Sequence, residues 1–124
     1  MSENALRVVY AEDDELVRAT VSEMLKQLGA DVHVCKNGAE AVLLCLSLAP
    51  RVALLDLTML GMDGFGGAAR IRANDPDHRI RLVALTGLRA DYAREQALKA
   101  GFDEFLSKPI TLEALGGALA RWTS

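Results

Sequence analysis

Short apolar runs alternate along the chain with stretches whose apolar residues recur every three or four positions. Residues 6–11 (LRVVYA) form the first run, which stops abruptly at Glu12, Asp13 and Asp14. Val17, Val21, Met24, Leu25 and Leu28 then recur at helical spacing, and Gly29 supplies a stop. Val32 and Val34 mark a second strand. Asn37, with Glu40 three residues on, reads as a capping box that opens a helix to about Leu48, and Pro50 ends that element. Residues 52–55 (VALL) are apolar without alternation, the pattern of a strand buried on both faces, and lead straight into Asp56.

Beyond the loop LTMLGMDG, Asp63 is placed to cap a helix to about Ala73, although Gly66 and Gly67 weaken it. Residues 74–78 read as a turn. Residues 81–85 (RLVAL) form another buried strand, ending at Thr86 and Gly87. A helix follows over about 90–100, closed by Gly101. Phe105 and Leu106 make a short strand stopped by Lys108-Pro109, and Thr111 caps a last helix reaching Trp122. Five strand–helix units with short connections predict a doubly wound α/β fold: a five-stranded parallel sheet flanked by five helices. No repeat, linker or low-complexity stretch interrupts the series, so residues 1–124 read as one domain.

Composition narrows the function. With 51% hydrophobic and 25% charged residues, the chain has the apolar content of a folded domain and not of a disordered one. A net charge of −3 is a poor start for binding a polyanion, so direct nucleic-acid binding is not expected. The densest basic pairs, Arg70 with Arg72 and Arg79 with Arg81, read as solvated faces. Cys35 and Cys45 form no CxxC pair and read as buried thiols in a reducing cytosol, not as a zinc site. No apolar run approaches the ~20 residues of a spanning helix, and the N-terminus lacks the basic and apolar regions of a signal peptide. The expected location is cytoplasmic, without membrane insertion.

The informative residues are those that end the strands: Glu12 and Asp13, Asp56, Thr86, and Lys108. In an open parallel sheet, ligands bind beyond the carboxyl ends of the strands, where the strand order reverses. Three carboxylates, a hydroxyl and an amine should therefore meet at one crevice. Either Asp13 or Asp14 could instead serve only as a helix cap. Clustered carboxylates repel unless a cation intervenes, and hard oxygen donors suit Mg²⁺, which keeps open positions for phosphate oxygens. Lysine and threonine can hold the remaining oxygens. Such a site suits phosphoryl transfer to an aspartate. Asp56, alone on the end of the most buried strand, fits the nucleophile better than Asp13, which has Glu12 beside it.

These positions resemble the receiver domain of two-component response regulators. The resemblance rests on the acidic pair after strand one and on DLTMLGMDG at 56–64. ALTG at 84–87 and AGFDEFLSKP at 100–109 extend it, and it covers about residues 6–122. It implies the strand order 2-1-3-4-5, which periodicity alone does not give. It implies that Asp56 accepts phosphate from a histidine kinase's phosphohistidine. Mg²⁺ would be held by Asp13, Asp56 and the backbone carbonyl of Thr58, with Glu12 acting through water. Thr86 and Lys108 would contact the phosphoryl oxygens, a cis bond would precede Pro109, and Phe105 would change rotamer on activation. Thr58 and Leu88 would flank the path of the hydrolytic water. Two departures stand out: Leu60 occupies a position usually held by proline, and the acidic pair is Glu-Asp and not Asp-Asp.

The resemblance makes the chain a signalling module that catalyses only its own phosphorylation and dephosphorylation. Its expected partners are a cognate histidine kinase or phosphotransfer protein and a downstream protein. The wording of the ALTG and AGFDEFLSKP stretches is closest to receivers of hybrid kinases, and a stand-alone receiver is the other context. The main rival is an aspartate-nucleophile phosphatase of the haloacid-dehalogenase type. That chemistry needs a second acid two residues after the nucleophile, where this chain has Thr58. Nucleotide-loop patterns are absent: there is no GxxxxGK, and the glycines after Asp56 do not give GxGxxG directly after a strand.

Overall fold

Five parallel strands, β1 (Arg7–Ala11), β2 (Asp31–Cys35), β3 (Val52–Asp56), β4 (Arg81–Thr86) and β5 (Glu104–Ser107), lie in the order β2-β1-β3-β4-β5. This is the order implied by the family resemblance. The structure is a computed structural model; it describes residues 5–57, 64–87 and 90–123, and of 90–94 the backbone only. The helices are α1 (Glu15–Gln27), α2 (Gly38–Leu48), α3 (Gly64–Ala73), α4 (Ala90–Ala100) and α5 (Leu112–Thr123).

Alternation along each strand divides the core into two layers. Val9, Ala11, Ala53, Leu55, Leu82 and Ala84 face α2, α3 and α4. Val8, Tyr10, Val52, Leu54, Val83 and Leu85 face α1 and α5, where they meet Val21, Leu25, Leu115 and Trp122. Every residue of β3 is buried, as its unbroken apolar run predicts. Covering both faces leaves only the strand ends open, so polar residues there define the accessible site.

The helix ends follow local chemistry. Asp14 caps α1, its carboxylate accepting from the Val17 N–H at 2.9 Å. Of the two candidate caps, Asp14 takes that role and Asp13 does not. Asn37 accepts from the Glu40 N–H, while Glu40 reaches back to the Lys36 N–H, one residue short of a reciprocal box. Ala49 closes α2 with φ 46°, left-handed without being glycine, and Pro50 follows. Thr111 caps α5 by accepting from the Ala114 N–H. Asp63, expected to cap α3, lies outside the described residues.

One expectation is corrected. Arg72 is not on a solvated face; its side chain is only 12% exposed. Its guanidinium donates to Asp75, to the Ile80 and Gly101 carbonyls and to Asp103. It thereby ties the end of α3 to the entry of β4 and to the α4–β5 connection. Arg70 and Arg79 are exposed as expected, and Arg81 is 47% exposed. Cys35 and Cys45 are free and buried, and burial pushes both thiols up to about 12. Among the described residues, no helix is long and apolar enough to cross a membrane.

Candidate functional site

The carboxyl ends of β1, β3, β4 and β5 bring the predicted polar residues to one end of the sheet. β3 delivers Asp56 between its neighbours β1 and β4. Thr86 ends β4, and Lys108 follows β5 directly. The Lys108 N–H donates to the Thr86 carbonyl at 2.9 Å, which fixes where the lysine leaves the sheet. Its peptide bond to Pro109 is cis.

Lys108 Nζ donates to Asp56 Oδ2 at 2.5 Å and lies 3.4 Å from Glu12 Oε1. Glu12 and Asp56 are almost fully buried, at 1% and 2% exposure, whereas Asp13 is exposed. The three acids offer ligand oxygens that all lie within 4.8 Å of one another. Glu12 is held from two sides. Its Oε2 accepts from the Asp14 N–H at 3.2 Å, and its backbone carbonyl accepts from Arg18 Nη1 at 2.9 Å.

The electrostatics follow from burial. Loss of water around Glu12 raises its carboxyl to about 7, and the neighbouring Asp56 carboxylate adds to the rise. The Asp14 N–H and Lys108 oppose this without cancelling it. Burial pulls the Lys108 ammonium down, but Asp56 and Glu12 outweigh it, and its pKa lies above the ordinary value. One ammonium against three carboxylates leaves the group short of positive charge. Glu12 Oε1 is buried with no hydrogen bond and only the Lys108 ammonium beside it at 3.4 Å, so it can still serve as an oxygen donor to a metal cation.

Three contributors were assigned no role from the sequence. Gly64, at the start of α3, packs so closely that a Cβ there would collide with the Asp56 carbonyl and stand 2.9 Å from Leu57 Cα. Arg18 orients Glu12 from one turn into α1. The Tyr10 hydroxyl is buried without a hydrogen bond, and burial together with Glu12 pushes its phenol upward. Only the glycine offers a sequence cue, in the small residues opening α3. Phe105 is half-buried on β5, opposite Ala84, and packs on the α2–α3–α4 layer. Thr58 and Leu88 lie outside the described residues.

Comparison with known proteins identifies relatives of the chain and of its fold. The family model of the response regulator receiver domain matches residues 8–120. A 14.6 kDa protein of Leptolyngbya boryana is 32% identical over 103 residues, covering 83% of this chain and 79% of that one. Sensor protein GacS of Pseudomonas syringae pv. syringae is 30% identical over 126 residues, covering 99% of this chain but 14% of GacS. The receiver domain of sensor histidine kinase PA1611 from Pseudomonas aeruginosa superposes with a TM-score of 0.87 at 28% identity, covering 96% of this chain and 98% of that one. That crystal structure holds a magnesium ion in its active-site cleft.

Proposed function

The chain belongs to the response regulator receiver domain family, and from that membership we propose that Asp56 takes the phosphoryl group from a phosphohistidine. The observation that carries this reading is the buried Asp56 carboxylate, bonded at 2.5 Å to Lys108 and grouped with two further carboxylates. In the transfer, an Asp56 oxygen forms a bond to phosphorus as the phosphorus–nitrogen bond breaks, and the imidazole nitrogen keeps the electron pair. The side chains supply position and charge neutralisation.

Glu12, Asp13 and Asp56 fit Mg²⁺: the donors are all oxygen, positive charge is short, and Glu12 Oε1 lacks a hydrogen bond. The Thr58 carbonyl completes the set by family resemblance. The ion, when bound, neutralises charge on the phosphoryl oxygens. Lys108 holds one of those oxygens, and the Thr86 hydroxyl donates to another. Phe105, on the adjacent strand, changes rotamer and carries the switch to the surface.

The module is a signalling domain over residues 1–124 whose only chemistry is its own phosphorylation and dephosphorylation. It receives phosphate from a histidine kinase or a phosphotransfer protein in the cytoplasm and passes the signal to a protein partner, without contacting nucleic acid. The relationship to GacS and PA1611 supports a receiver of a hybrid kinase. The haloacid-dehalogenase reading gains nothing from the comparisons reported above. Incubation with acetyl phosphate should add one phosphoryl mass in Mg²⁺ and none in EDTA; labelling that ignores EDTA contradicts the reading.

A further inference from the structure

The opposite end of the sheet carries a second set of cavities. A cavity of about 420 Å³ opens between the last turns of α2 and α3. Its walls are mostly apolar, from Val42, Cys45, Leu46, Pro50, Ile71 and Ile80, with Asn74 and Asp75 as polar members. Arg51 and Arg79 stand on its rim, and the same two residues also line a neighbouring cleft of about 190 Å³. Arg81 and Arg121 also line that cleft, together with Val52, His78, Trp122 and one acid, Asp103. Four of the chain's 14 basic residues thus line one small cleft in a protein of net charge −3.

Two acids line these cavities, Asp75 the larger and Asp103 the smaller, and their carboxylates are already hydrogen-bonded. Asp75 accepts from the Arg79 and Ile80 N–H groups and from Arg72. Asp103 accepts from the Leu82 N–H and Arg72. Glu104 is shared by Arg81, Arg121 and the Trp122 indole. Asp77 stays 3.7 Å from Arg79 on the exposed side. Arg51 makes no ion pair among the described residues. The apolar volume falls in the range of about 300–1,000 Å³ typical of small-molecule pockets, and it meets the guanidinium donors at a shared rim. Guanidinium groups match the geometry of phosphate and carboxylate oxygens.

We propose that the two cavities form one site for a small amphipathic anion, its apolar body between α2 and α3 and its phosphate or carboxylate head on Arg51 and Arg79. The site is separate from Asp56: Arg51 precedes β3, and Asp56 ends it, roughly 17 Å away at ~3.3 Å per residue.

Octyl phosphate, inorganic phosphate and 1-octanol, titrated into the whole chain and followed by amide NMR, separate head from body. Octyl phosphate should bind at least tenfold more tightly than either half alone, with shifts at Arg51, Ile80 and the end of α2. The double variant Arg51→Ala, Arg79→Ala removes two exposed side chains, and should weaken octyl phosphate at least tenfold while leaving 1-octanol unchanged. Leu46→Glu should weaken both. Octanoate either matches octyl phosphate, giving a general oxyanion head, or fails, giving a phosphate head; both keep the site. Equal binding of inorganic and octyl phosphate, an unaffected double variant, or shifts centred on Asp56 and Lys108 would overturn the proposal.

Discussion

Lys108 Nζ sits 2.5 Å from Asp56 Oδ2 and 3.4 Å from Glu12 Oε1, one cation bridging two buried carboxylates from different strands. The Lys108 side chain is 29% exposed, while both acids are nearly sealed from water. The lysine therefore offsets the charge of the metal-free site, in addition to the role in transfer proposed for it. Lys108→Ala should lower stability at pH 8 without Mg²⁺ by about 2 kcal/mol, because two buried charges lose their partner. Urea unfolding measures the loss; a change below the error of the fit would show that water already screens the acids.

The raised Glu12 carboxyl sets a pH dependence. Between its ordinary 4.5 and about 7, the folded protein holds a proton that the unfolded chain has released. Stability then falls as pH rises through that window, and this contribution is lost above about 7. Melting in metal-free buffer should show a decline from pH 5 to 7.5, which Glu12→Gln flattens. Magnesium affinity should rise over the same window, since metal and proton compete for Glu12. An unchanged slope in Glu12→Gln would assign the decline to other groups.

Neighbouring acids at the β1–α1 junction should respond differently. Asp14→Ala removes the α1 cap and should cost about 1 kcal/mol. Asp13→Ala should leave metal-free stability within about 0.5 kcal/mol of the parent or above it, because it relieves repulsion among the acids. The same variant should abolish Mg²⁺ binding. Paired thermal melts and a magnesium titration distinguish the two roles; a marked loss of metal-free stability in Asp13→Ala would make that residue structural.

Gly64 leaves no room for a side chain against the Asp56 backbone. Gly64→Ala should destabilise by about 2 kcal/mol, the usual cost of overpacking, and should slow phosphorylation by shifting the end of β3. Full stability with normal labelling would show that α3 can move away freely.

The phosphorylated lifetime gives a further expectation. Leu88 has no group to orient a water, and Thr58 offers only a short hydroxyl. Self-dephosphorylation should therefore be slow, and Thr58→Asn with Leu88→Glu should accelerate decay after donor removal. An unchanged decay rate would show that these positions do not control lifetime.

Much of this site was legible along the chain because its residues terminate apolar runs. Asp56 follows a run with no polar break, and its full burial on both sheet faces follows directly. Strand order was not legible from periodicity, since parallel neighbours are joined through helices and share no local pattern; it came from family resemblance. Arg72 was misread because its partners Gly101 and Asp103 lie 29 and 31 residues away, beyond any charge-pairing rule for one helix. The choice between Asp13 and Asp14 as cap needed the Val17 N–H, whose direction only the folded turn reveals.

The central claim is that Asp56 carries the phosphoryl group. Borohydride reduction of the acetyl-phosphate-treated protein converts an aspartyl phosphate to homoserine, and peptide mass mapping then locates it. Conversion should occur at Asp56 alone, require Mg²⁺, and disappear in Asp56→Asn. Conversion at Asp13 or another acid in the unaltered chain, with Asp56 intact, would contradict the account.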